Sequence, residues 1–194
     1  MFQKSLWIIL FLISLSAKAS FVLLPMDAES QKDHLKAYGI TYWMLDRGNK
    51  VQWLLNYRGG SFLIPDSEKL RKECTIRGVS YEVISNEKAS SILQSIESPS
   101  VNQESVTLEK APRIAVYTPD GNAPWDDAVT LVLTYAEIPY DKVYDKEVLN
   151  DELLLYDWLH LHHEDFTGQY GKFYRAYRAA PWYIKEKKQA ENLA

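Results

Sequence analysis

Cysteine is almost missing from this chain: Cys74 stands alone among 194 residues. A single thiol cannot form an internal disulfide, so burial must hold the fold together. No Gly-x-Ser-x-Gly elbow offers a serine nucleophile. A full phosphate-binding loop and a helical His-x-x-x-His zinc pair are equally absent. Long apolar runs are missing too. The longest, Leu6 to Leu15, is ten residues broken only by Ser14, against the roughly 20 needed to cross a bilayer. Excess positive charge is lacking, with 22 basic against 26 acidic side chains. That balance leaves no electrostatic footprint for nucleic acid or an anionic lipid surface.

The N-terminus has the grammar of export. Lys4 precedes the short apolar run, and Ala17-Lys18-Ala19 gives the small-x-small pattern that a signal peptidase reads. Residues 1–19 are therefore expected to be a signal peptide cleaved before Ser20, and the mature protein to be periplasmic or extracellular, with no stable membrane span. No cysteine follows the apolar run to take a lipid. Without Lys4 and Lys18, 20 basic side chains face 26 acidic ones, a net charge of −6. Aromatic residues make up 13% of the chain. They supply large apolar areas, and core packing outweighs a sugar- or peptide-binding platform as their use.

Along the chain, strands alternate with helices. The spacing predicts a strand over 21–25 and a helix over 31–47 stopped at Gly48. A strand over 51–57 follows, then a turn at Arg58 to Ser61, a helix over 67–77 closed by Gly78 and a strand over 79–84. Asn86 is placed to cap a helix running to Ile96. Residues 98–112 are polar and proline-flanked, which reads as a linker between a first unit (20–97) and a second (113–194). The second unit reads as strand 113–117, helix 125–137, strands 140–144 and 156–162, and an aromatic, basic helical end. Strands joined by helices of this length predict an α/β fold with a mainly parallel sheet and flanking helices. The helix-to-strand passages at Arg77 to Ile84 and Ala136 to Val143 echo each other at an offset of 59 residues. Duplication would explain that, and so would the punctuation any such unit needs.

Chemistry-bearing residues concentrate in two places. In a strand through Tyr156 to His162, His160 and His162 share one face. His163, Glu164 and Asp165 then fall at the carboxyl end, the edge where open α/β sheets bind ligands. Three imidazoles and two carboxylates there suit a small ligand, or a divalent metal for assisted hydrolysis; hydrogen bonding that organises the loop is the plainer use. At Arg58-Gly59-Gly60-Ser61, two glycines permit close backbone approach and Arg58 can fork onto a carboxylate or phosphate. A tight turn explains the same glycines. Cys74, in the middle of a charged helix, is not placed as a nucleophile. No cofactor is expected.

The segments His34 to Trp43, Trp53 to Phe62, Pro124 to Leu131 and Tyr156 to Tyr174 together resemble a family of exported bacterial proteins labelled asparagine synthetase B. The resemblance implies a class I glutamine amidotransferase-like or flavodoxin-like fold. It further implies that this chain corresponds to the N-terminal part of longer members, with the sheet unfinished at its C-terminus. An amidotransferase nucleophile would then lie outside this chain, since the N-terminal cysteine and the Ser-Gly-Gly-x-Asp-Ser loop of glutamine-hydrolysing synthetases have no counterpart here. The functional expectation is an exported envelope protein that binds a small ligand or scaffolds an envelope partner at His160, His162, His163, Glu164, Asp165 and Arg58.

Overall fold

The structure is a computed structural model that describes residues 20–118, 128–161 and 175–193. His162, His163, Glu164 and Asp165 lie outside the described residues.

The first unit is built on strand β1 (Ser20–Leu24), helix α1 (His34–Asp46), β2 (Val51–Leu55), β3 (Phe62–Pro65), α2 (Glu68–Arg77), β4 (Glu82–Ser85), α3 (Asn86–Ile96) and β5 (Glu104–Leu108). Side chains cap the helices at their starts. Asp33 accepts from the Lys36 amide, Ser67 from Leu70, and Ser85 rather than Asn86 from Lys88. The five strands lie in the order β4-β1-β3-β2-β5, and every neighbouring pair is antiparallel.

This corrects the expectation of a mainly parallel sheet, for a topological reason. β1 and β2 both run opposite to β3, so they are parallel to each other, as a helical crossover requires. β3 and β4 are related in the same way through β1. Each crossover skips one position, and the two interleave into a split β-α-β-β-α-β arrangement in which all adjacent strands oppose. The four-residue β3, hidden behind the Arg58 turn, creates that outcome. Strand β5 also falls inside the stretch expected to be a linker. It pairs with β2 from Val51 opposite Leu108 to Leu55 opposite Glu104, and its Ser105 and Thr107 hydroxyls both donate to Gln52 Oε1 at 3.1 Å.

Both faces of this sheet are covered. Alternation along the strands sends Val22, Leu24, Val51, Phe62 and Ile64 to one side. There they meet Ala37, Ile40 and Met44 of α1 with Leu70 and Cys74 of α2. Leu23, Leu54 and Leu63 face the other way, onto Ala89, Ile92 and Ile96 of α3.

The second unit comprises β6 (Ile114–Tyr117), α4 (Ala128–Ala136), β7 (Asp141–Val143), α5 (Asp145–Leu149), a 3-10 turn (Glu152–Leu155), β8 (Trp158–Leu161) and α6 (Pro181–Leu193). Here the sheet is parallel, in the order β7-β6-β8. Ile114 and Val116 pack on Leu133 of α4, with Val129, Ile138 and Tyr140 at the margin.

Helix α1 joins the units. It crosses α4 so closely that a Cβ on Gly39 would fall 1.9 Å from the Ala136 carbonyl oxygen. Lys36 bonds Glu137 at 2.7 Å, the Tyr135 hydroxyl donates to Asp33, and the Tyr42 hydroxyl donates to the Pro112 carbonyl at 2.9 Å. Tyr42 packs against both cores.

The sequence echo has a physical origin in this arrangement. Gly78 (φ 71°) and Glu137 (φ 58°) both end their helices in left-handed conformation. Each is followed by the same closing bond, Val79 N–H to Cys74 O at 2.8 Å and Ile138 N–H to Leu133 O at 2.9 Å. The repeat is a shared C-terminal cap on helices of two different sheets.

Candidate functional site

The Arg58 loop is built from strained backbone. Asn56, Arg58, Gly59 and Gly60 all have positive φ, and a Cβ on Gly59 would sit 2.3 Å from the Met26 carbonyl oxygen. The glycine is needed because the β1–α1 loop lies against it, where the Met26 amide donates to the Arg58 carbonyl at 3.0 Å. The guanidinium then closes the same junction. Nε bonds Asp27 at 3.0 Å, one terminal nitrogen bonds Glu82 at 2.8 Å, and the other bonds the Ser30 hydroxyl at 2.9 Å. The hydrogen bond to Glu82 foremost holds the Arg58 pKa above its ordinary value. Asp27 is lowered, first by its bond from the Ser30 side chain and then by Arg58. All three faces of the fork are therefore engaged inside the fold. A ligand carboxylate at Arg58 would have to displace Asp27, Ser30 or Glu82.

His160 is placed differently. It lies next to the end of β8, in parallel register with Val116, and so shares the face that carries α4. Its ring meets the edge of Trp158 at 6.5 Å between centroids. β7 and β8 flank β6 on opposite sides, so the carboxyl end of β6 is where connections diverge. That divergence opens a crevice in open α/β sheets.

The residues at this edge were not singled out by sequence. Tyr117 ends β6, donates its hydroxyl to Asp145 at the start of α5, and packs its ring 5.2 Å from that of Tyr144. Thr118 follows, tied through its amide to the Val143 carbonyl at 2.9 Å. Its side chain is buried, 4% exposed, and among the described residues its hydroxyl has no hydrogen-bond partner. A buried hydroxyl left unpaired is costly, which marks Thr118, among the described residues, as a polar group with unspent capacity. Only its strand position after an apolar run could have marked it.

Arg58 and His160 are not brought together: the described contacts of Arg58 all lie within the first unit. Among the described residues no group of three or more His, Cys, Asp or Glu side chains could hold a metal ion. Cys74 is buried in α2, where desolvation pushes its thiol up to about 12, so it is no nucleophile near neutral pH. No helix among the described residues is long and apolar enough to cross a membrane. Comparison with protein-family models, with curated proteins and with solved structures finds no match to this chain.

Proposed function

We propose that this chain is an exported envelope protein that binds a small ligand, or scaffolds an envelope partner, at the carboxyl edge of its parallel sheet. The observation that carries this reading is the unpaired, buried hydroxyl of Thr118 at the end of β6, one strand away from His160. The order β7-β6-β8 supports it, because it corresponds to the first three strands of the flavodoxin-like order 2-1-3, whose ligands sit at this switch point. On this reading His162, His163, Glu164 and Asp165 continue the site beyond β8. Export rests on the sequence alone, on Lys4, the short apolar run and the Ala17-Lys18-Ala19 pattern. Kinship with the exported family labelled asparagine synthetase B belongs to the same proposal and assigns no catalytic residue here.

The test is a thermal-shift screen of the full chain against sugars, amino acids and short peptides, repeated on Thr118→Val and His160→Ala. A ligand that raises Tm in the wild type and loses its effect in both variants supports the reading. A screen without any shift, or shifts unchanged in both variants, overturns it. N-terminal sequencing of protein recovered from the periplasm is expected to start at Ser20.

A further inference from the structure

A second place with unspent polar groups lies in the other unit. A cleft of about 430 Å³ opens beside the carboxyl end of α2, within the range of small-ligand sites. Its floor is apolar, formed by the buried Val79 and the unreactive Cys74. Lys32, Ser80 and Tyr81 rise around it, with Thr75 and Gly78 at the helix end.

The amide of Gln31 holds this wall in place. Gln31 is buried, and its Nε2 donates to the Pro25 carbonyl at 2.9 Å and the Ser80 carbonyl at 3.3 Å. Its Oε1 accepts from the amides of Ser80 at 3.0 Å and Asp33 at 3.3 Å. Loop 25–33 and loop 78–81 are therefore locked to each other, and Lys32 is fixed between Gln31 and the helix cap Asp33.

The charges around the cleft contrast with those around Arg58. Asp33 is spent on the Lys36 amide and the Tyr135 hydroxyl, and the Thr75 hydroxyl is spent on the Arg71 carbonyl. Among the described residues the Lys32 ammonium, the Ser80 hydroxyl and the Tyr81 hydroxyl have no partner. The carboxyl end of α2 also borders the cleft and carries the negative half of its helix dipole, and Arg77 in its last turn is paired with Glu73 and Glu137. The cleft thus offers a cation, a partial negative charge and apolar lining.

We propose that this cleft binds a small α-amino acid with an apolar side chain. Its carboxylate pairs with Lys32 and Ser80, its ammonium faces the carboxyl end of α2, and its side chain lies on Val79 against Tyr81. Neither charge of such a ligand is left uncompensated, whereas a simple anion would meet the helix end unfavourably and a simple amine would meet Lys32.

The test is an amide NMR titration of the isotope-labelled full chain with L-phenylalanine, 3-phenylpropanoate and phenethylamine. L-Phenylalanine is expected to shift Gly78, Val79, Ser80 and Tyr81 saturably, with Kd in about the millimolar range for so small a ligand. Lys32→Gln is expected to weaken it roughly tenfold, the weight of one charge-assisted bond, while Lys88→Gln on the far face of the sheet changes nothing. Both single-charge analogues are expected to bind more weakly. Absence of any shift up to about 10 mM, tenfold above that range, would overturn the proposal. So would unchanged affinity in Lys32→Gln, or equal binding of 3-phenylpropanoate. Both variants keep the wild-type amide spectrum elsewhere, because Lys32 and Lys88 are exposed.

Discussion

The two sheets spend their side chains differently. In the antiparallel sheet, helices cover both faces and the polar groups at its rim bond one another, as Arg58 does with Asp27, Ser30 and Glu82. In the parallel sheet, Trp158, Leu159 and Leu161 of β8 remain well exposed, and Leu154 in the preceding turn is 87% exposed. The same unit contains the orphan hydroxyl of Thr118. Among the described residues, then, the first sheet is covered on both faces while the second keeps apolar side chains of β8 at the surface.

The contrast can be broken hardest in the first core. Leu63→Ala removes a side chain buried between β3 and α3, and is expected to cost about 2–5 kcal/mol in urea unfolding. Leu154→Ala, at its exposed position, is expected to stay within about 0.5 kcal/mol. Equal losses would erase the distinction. Gly39→Val pushes α1 off α4 and is expected to cost about 1–3 kcal/mol. Hydrogen exchange should then show β6 and α4 losing protection while β1 and β3 keep theirs.

Smaller effects sharpen the comparison. Arg58→Ala is expected to lose about 1 kcal/mol, discounted because the guanidinium and Glu82 are partly solvated. Asp27 is held below its ordinary value of 3.8, so the stability it adds is fully present above that pH and is lost as pH falls through the lower folded-state value. The acid limb of a Tm-against-pH curve should therefore be shallower in Arg58→Ala. Smallest of all, Thr118→Val is expected to leave stability unchanged or raise it by up to about 1 kcal/mol, since it removes an unpaired hydroxyl. A clear loss of stability in that variant would mean the hydroxyl is already satisfied in the folded chain.

The helices were legible because their ends are chemical: Ser67 and Gly78 bracket α2 as sequence rules require. The parallel sheet of the second unit was legible from its β-α-β passage through α4. The sheet of the first unit was not, because β3 has four residues and β5 lies in a polar, proline-flanked stretch whose composition reads as a linker. Local pattern also says nothing about which strands become neighbours. Of the candidate site, His160 was visible from its alternation with leucines. Thr118 was not, because an unpaired hydroxyl is a property of packing. The Gln31 lock joins residues 49 positions apart, a distance no local motif spans.

The crossing of Gly39 on Ala136 also has a consequence in time. A chain that emerges N-terminus first presents α1 about 90 residues before α4, a delay of roughly 5–20 s at ordinary synthesis rates. During that interval the flank of α1 carrying Gly39 and Tyr42 has no mate. The seam between the units can close only once α4 has arrived.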